Sequence, residues 1–187
     1  MQVNNQFNKC IFLSILLFPL SNIELVLFVY NTNEVECDLV FLVKKLTICL
    51  SVAIAEELFF RGLALRELVF GYNWRYVRAS VVVSFLFGVL HLLNVNSYAT
   101  WSYAIVQSIC AFAISFNLCA IFIKTKSLLW CVIIHALINI TSIGLEYCAN
   151  GQQVPLSNFE SVIFLSVSFI YLISGIKMLN NKMVEGK

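Results

Sequence analysis

Residues 46–65 read LTICLSVAIAEELFFRGLAL, an apolar run that is interrupted by three charged side chains. A helix needs about 20 mainly apolar residues to cross the hydrocarbon core of a bilayer, and this segment has that length. The charged side chains belong to Glu56, Glu57 and Arg61. Because an ionisable group at mid-bilayer costs on the order of a few kcal/mol or more, such groups face inward and mark function. The stretch therefore predicts a membrane helix that contributes to a buried polar site.

The composition of the whole chain favours the same environment. Of its 187 residues, 60% are hydrophobic and only 12% are charged. Soluble domains carry roughly 25% charged residues, and a chain of this size could not bury so much apolar surface in water. The net charge of +2 gives no indication of nucleic-acid binding. We predict a single all-α membrane domain with the lipid bilayer as its surroundings.

Six apolar segments predict a polytopic bundle of about six transmembrane helices. Backbone amides inside a bilayer must be satisfied within their own segment, which selects helices over isolated strands. The core that carries the polar residues spans about 46–145. The predicted spans are 10–30, 46–65, 79–93, 103–123, 127–145 and 159–179.

Basic residues predict how the bundle is oriented. They concentrate in alternate connections and at the two ends of the chain, which places both termini in the cytoplasm under the positive-inside rule. Lys44 and Lys45 are the exception. We expect a multi-pass protein of a bacterial inner (plasma) membrane. The residues that follow the rule are Lys9, Arg66, Arg75, Arg78, Lys124, Lys126, Lys177, Lys182 and Lys187.

Two further interpretations concern the ends of the spans. The first 20 residues could be a cleaved signal peptide, although apolar residues continue beyond them. Cys37 and Cys148 fall in connections that we place outside the cell, where an oxidising compartment permits a disulfide. We predict that bridge, and we interpret the cysteines inside the spans as small apolar packing residues.

Polar residues on three predicted helices lie at similar depth. With a rise of 1.5 Å per residue, Glu56 and His135 lie about 13 and 12 Å from the cytoplasmic ends of their helices. His91 and Asn139 lie near 18 Å by the same measure. All four therefore fall within a slab of roughly 6 Å, which predicts that they meet in one pocket.

Spacing within each helix suggests how the polar groups divide their roles. Glu57 and Arg61 are i,i+4 neighbours in the favourable order, which predicts a structural ion pair. Glu56 projects about 100° away from Glu57 and remains available for chemistry. His135 and Asn139 also share a face. A carboxylate that takes a proton from water, with an imidazole and an amide facing the carbonyl oxygen, suits hydrolysis of an amide bond.

Three short motifs resemble those of a known family. EELFFR at 56–61 matches EExxxR, FGVLH at 87–91 matches FxxxH, and HALIN at 135–139 matches HxxxN. In order and spacing they resemble the CPBP (Abi) family, the CAAX-protease and bacteriocin-processing proteins, which includes the type II CAAX prenyl endopeptidases. The resemblance covers roughly 53–140 and implies an intramembrane glutamic protease that needs no cofactor. It implies these roles: Glu56 and His91 activate water, His135 and Asn139 form the oxyanion hole, and Glu57 and Arg61 support the site.

Other functions fit some of the same residues. Glu56, His91 and His135 could bind zinc in an intramembrane metalloprotease, since two histidines and a carboxylate form many hydrolytic zinc sites. A non-catalytic bacteriocin-immunity or scaffold protein would use the polar residues as interhelical hydrogen-bond partners. A proton-coupled transporter has less support, because the chain lacks repeated halves. For the protease, the expected partner is a peptide or a membrane-anchored protein substrate.

Overall fold

The computed structural model is built from helices and describes residues 39–96, 100–148 and 158–180, together with Phe12. Within these ranges there is no β-strand. The predicted helix over 10–30 lies outside the described residues, Phe12 apart, and so does Cys37 of the predicted disulfide. The helices are α1 Leu39–Glu57, α2 Tyr76–Leu90, α3 Trp101–Thr125, α4 Leu128–Cys148 and α5 Asn158–Asn180.

The predicted all-helical character is confirmed for the residues that the structure describes. Three helices in the described ranges are long and apolar enough to cross a bilayer: Tyr76–Val95, Trp101–Thr125 and Ser161–Asn180. Leu128–Ile140 is apolar but shorter. The charged α1 segment does not meet the same criterion. The number of six spans and the cytoplasmic termini therefore stay predictions.

The helix that carries the first motif changes its hydrogen-bonding pattern at that motif. After Glu57, α1 continues as a π-helix over Leu58–Leu65 and again over Glu67–Gly71. π-Helical segments are rare, and they occur frequently at functional sites. Helical hydrogen bonding thus continues past the predicted span of 46–65 to Gly71.

Helix α3 lies at the centre of the described bundle. It packs against α2 on one side and α5 on another, and every residue from 115 to 123 is buried. A helix that is apolar on all sides is buried in a protein core or spans a membrane, and here the burial is by protein. Residues of α3 can therefore reach side chains from several other helices.

Close helix packing depends on small residues, as is common in membranes. A Cβ atom added at Gly88 of α2 would lie 2.8 Å from the Ser108 carbonyl oxygen of α3. The Ser108 hydroxyl donates a hydrogen bond of 2.7 Å to the Gly88 carbonyl. At Gly175 of α5, an added Cβ would lie 3.1 Å from Asn117 Cα of α3. These glycines set how closely α2 and α5 approach the central helix.

The two basic connections lie at the same end of the bundle. Lys126, at the end of α3, places its Nζ 4.1 Å from the Phe70 ring centroid, and Arg78 stacks 4.2 Å from Trp74. Lys126 adopts a left-handed backbone conformation with φ 57°. Partial burial lowers the pKa of Lys126. The location of both basic connections at one end of the bundle agrees with the orientation that we predicted from basic residues in alternate connections.

Candidate functional site

Glu57 is the central acceptor of a buried polar cluster. Its Oε1 accepts a hydrogen bond of 2.8 Å from Arg61 Nη1 and lies 2.7 Å from His135 Nδ1. The side chains of Glu57 and Arg61 are both 0% exposed. The ion pair predicted from the i,i+4 spacing is thus present, and it also binds an imidazole from α4.

Arg61 is held from three directions. Its Nη2 donates to the carbonyl oxygen of Ser115 at 3.1 Å and to the Ser115 hydroxyl at 2.8 Å. Its guanidinium carbon lies 5.1 Å from the centroid of the Phe87 ring, within cation–π range. A buried ion pair repays its desolvation only when further hydrogen bonds satisfy its remaining groups. Ser115 supplies two of those bonds.

The hydrogen bonds assign the protons of His135. Because the Glu57 carboxylate pairs with a cation, it can only accept, so His135 Nδ1 must donate. The other ring nitrogen, Nε2, lies 3.4 Å from Glu56 Oε2. The Glu56 carboxylate and Glu57 thus approach the two nitrogens of one imidazole ring from different sides.

Glu56 and Glu57 have different surroundings, although they are adjacent in sequence. The Glu57 side chain is fully buried, whereas that of Glu56 is 33% exposed. The helical angle between neighbouring residues turns Glu57 toward Arg61 inside the bundle. It turns Glu56 toward His135 Nε2 and the bundle surface. Of the two acids, Glu56 is the one whose carboxylate is accessible from outside the described bundle.

His91 directly follows α2 as the first residue of a 3₁₀-helix over His91–Asn96, and Phe87 lies between it and the cluster. Its Nδ1 lies 2.8 Å from the Phe87 carbonyl oxygen, which can only accept, so Nδ1 donates. The Phe87 ring centroid lies 4.7 Å from that of His91 and 5.8 Å from that of His135. His91 also interacts electrostatically with Glu56 and His135. In its neutral form, His91 has Nε2 available as an acceptor.

Asn139 lies one turn beyond His135 on α4. Its backbone carbonyl oxygen accepts a hydrogen bond of 3.6 Å from Cys49 Sγ of α1, a contact that joins the two helices beside the site. The expected role of Asn139 rests on this register, because it is i,i+4 from His135 and shares that face of α4. The structure thus joins Glu56, Glu57, Arg61 and His135 by direct contacts.

Sequence reasoning missed Ser115. It belongs to no motif and lies on α3, in the most uniformly apolar of the predicted spans. A single serine in such a span gives no periodic signal, since small polar residues are common at membrane helix interfaces. Only the burial of residues 115–123 and the contact with Arg61 distinguish it.

The donors named for zinc do not form a metal cluster in the structure. In the described ranges, no group of three or more His, Cys, Asp or Glu side chains is arranged to hold a metal ion. His135 and His91 bond through Nδ1 to Glu57 and to the Phe87 carbonyl, so only Nε2 of each ring could serve as a metal ligand. The zinc alternative therefore stays a prediction that experiment must test.

Comparison with protein-family models identifies the class of protein. Residues 38–141 match the family described as type II CAAX prenyl endopeptidase Rce1-like. The match covers more than half of the chain and includes all three motifs. The chain belongs to this family, which supports a CAAX-protease-like membrane endopeptidase. Comparisons with curated proteins and with solved structures gave no significant match.

Proposed function

We propose that the protein is an intramembrane endopeptidase in which Glu56 activates water to hydrolyse a peptide bond of a membrane-associated or secreted substrate. The observation that supports this most is the Glu56–His135 pair, with the half-buried acid 3.4 Å from an imidazole fixed by Glu57. This pair lies within the family match.

The reaction begins with proton transfer from water to the Glu56 carboxylate. As the proton leaves, the water oxygen forms a bond to the substrate carbonyl carbon, and negative charge develops on the carbonyl oxygen. His91 Nε2 accepts a hydrogen bond from the water and orients it. A carboxylate within hydrogen-bond reach of the attacking water can serve as its general base.

His135 stabilises the oxyanion in its doubly protonated form. Glu57 already takes the Nδ1 proton, so donation to an oxyanion uses Nε2–H, with the Asn139 amide as second donor. Collapse of the intermediate breaks the C–N bond, and the leaving amine takes the proton that Glu56 received. All protons are then accounted for without a cofactor.

We also propose a multi-pass location in a bacterial inner membrane, with six helices and both termini in the cytoplasm. The common end of the two basic connections supports this orientation, since cytoplasmic loops carry the excess of Lys and Arg. Reporter fusions at the two termini and at the connections would test it. A terminus found outside would contradict it.

The test of catalysis compares the membrane and secreted peptides of cells that carry wild-type protein, Glu56→Gln or His135→Ala. Precursors should accumulate with both variants and not with Glu67→Gln, a control in which an exposed acid of the same helix loses its charge. Identical peptides in all strains would favour the immunity or scaffold function.

Metal dependence is tested separately on the cleavage that this comparison reveals. A glutamate-activated mechanism predicts that cleavage in purified membranes persists after exhaustive chelation. Loss of cleavage on chelation and its recovery with zinc alone would favour the metalloprotease instead.

A further inference from the structure

Ser115 presents two acceptors to one buried cation. Its side chain is 0% exposed, and both its hydroxyl and its carbonyl oxygen lie within 3.1 Å of Arg61 Nη2. A backbone carbonyl has two lone pairs, so the one at Ser115 can serve the guanidinium as well as its helix. Helix α3 therefore contributes to the site, although none of the three motifs lies on it.

The position of Arg61 decides how Glu57 is held. Arginine and carboxylate groups commonly pair through two parallel hydrogen bonds. Here Arg61 bonds to Glu57 Oε1 through Nη1, while Ser115 takes Nη2. Glu57 Oε2 has no hydrogen-bond partner among the described residues. Ser115 thus holds the guanidinium in a one-point contact with the acid.

That one-point contact leaves the shared oxygen facing His135. Without the Ser115 hydroxyl, Nη2 keeps only the longer bond of 3.1 Å to the Ser115 carbonyl, so it can turn toward Glu57 Oε2 and form the two-point pair. The carboxylate would then rotate, and the 2.7 Å bond from His135 Nδ1 would lengthen. The imidazole would lose the acceptor that fixes its Nδ1 proton.

We propose that Ser115 is a positioning residue that acts through Arg61 and Glu57 to fix the proton arrangement of His135. Its importance for catalysis rests on the proposed function, whereas the effect on the imidazole does not. A fourth helix thereby takes part in preparing the oxyanion donor.

The chain allows a direct test because it contains only two histidines. In protein labelled with ¹⁵N-histidine and reconstituted in lipid nanodiscs, nitrogen NMR resolves the protonation of each ring nitrogen. His91→Asn assigns the two sets of signals. Ser115→Ala should change the ratio of His135 protonated at Nδ1 to other forms by at least about tenfold, the factor for one charge-assisted hydrogen bond. The His91 signals should stay unchanged.

Two further variants separate positioning from packing. Ser80→Ala removes another buried hydroxyl, one without a hydrogen-bond partner in the described ranges, and should leave both histidines unchanged. Ser115→Cys retains the size of the side chain with a weaker acceptor, so it tests the proposal if the alanine variant does not fold. It should shift His135 in the same direction as alanine, but less.

Unchanged His135 signals in both Ser115 variants would overturn the proposal, as would equal shifts of both histidines in the Ser115 and Ser80 variants. The measurement needs no turnover. A His135 shift in a protein without peptidase activity would therefore refute the proposed function and leave the positioning role intact. If the Ser115 variants of an active protease kept wild-type His135 signals, the positioning role would be refuted and the proposed function would stand.

Discussion

Removal of the Arg61 charge is the most demanding test of the buried cluster. In Arg61→Met the side chain keeps much of its apolar volume but loses the cation that pairs with Glu57 at 2.8 Å. Breaking one partner from a buried ion pair costs about 3–5 kcal/mol, because the remaining charge stays buried without compensation. The two hydrogen bonds to Ser115 are lost as well.

The expected destabilisation is therefore about 3–5 kcal/mol, or roughly two to three and a half powers of ten in the folding equilibrium. Reversible unfolding in mixed micelles, followed by circular dichroism, measures this difference. Glu57→Gln in the same chain removes the orphaned charge, so the double variant should recover much of the loss. The interaction energy from this cycle should be at least about 1 kcal/mol and favourable to the pair.

Arg66→Met provides the matched control, since this exposed arginine lies on the same helical segment. Surface substitutions usually change stability by no more than about 0.5 kcal/mol. If Arg61→Met cost no more than Arg66→Met, or cost the same with and without Glu57, the reasoning from a desolvated ion pair would be refuted.

Two further predictions concern packing around the site. Gly88→Ala should destabilise the protein by about 1–3 kcal/mol, because its Cβ would lie 2.8 Å from a backbone oxygen of Ser108. Gly62→Ala should cost less in the same unfolding assay, since its nearest neighbour is the flexible end of Leu128 at 3.3 Å; equal costs would contradict the close approach. Phe87→Leu removes ring contacts with both histidines and should cost about 1–2 kcal/mol. It should also shift both sets of histidine NMR signals, and unchanged signals would show that the ring does not order the imidazoles.

The sequence allowed much of the bundle to be predicted because membrane helices must be long and apolar. Five of the six predicted segments are helical in the described ranges. The helical segment around the predicted span of 46–65 is longer than the span itself, because α1 begins at Leu39 and π-helical turns follow it to Gly71. Hydropathy indicates which residues can lie in the hydrocarbon core, whereas the ends of a helix are set by its backbone hydrogen bonds, so the two sets of bounds differ.

The site was predictable to the extent that its contacts are local. The Glu57–Arg61 pair follows from spacing within one helix, and the meeting of Glu56 with His135 follows from equal depth. The contact of Ser115 with Arg61 joins residues 54 positions apart and depends on helix rotation, which no spacing rule supplies. The sharing of Glu57 Oε1 between Arg61 and His135 likewise needed coordinates.

The short sequence distance between Glu57 and Arg61 has a consequence for biogenesis. The two opposite charges lie one turn apart and contact each other within one helical segment. We therefore expect them to neutralise each other as soon as this segment is helical, before α3 or α4 has left the ribosome, and we expect the segment to enter the lipid with the two charges paired. Contacts with residues 115 and 135 come later in synthesis, so the polar cluster is completed only after the downstream helices have inserted.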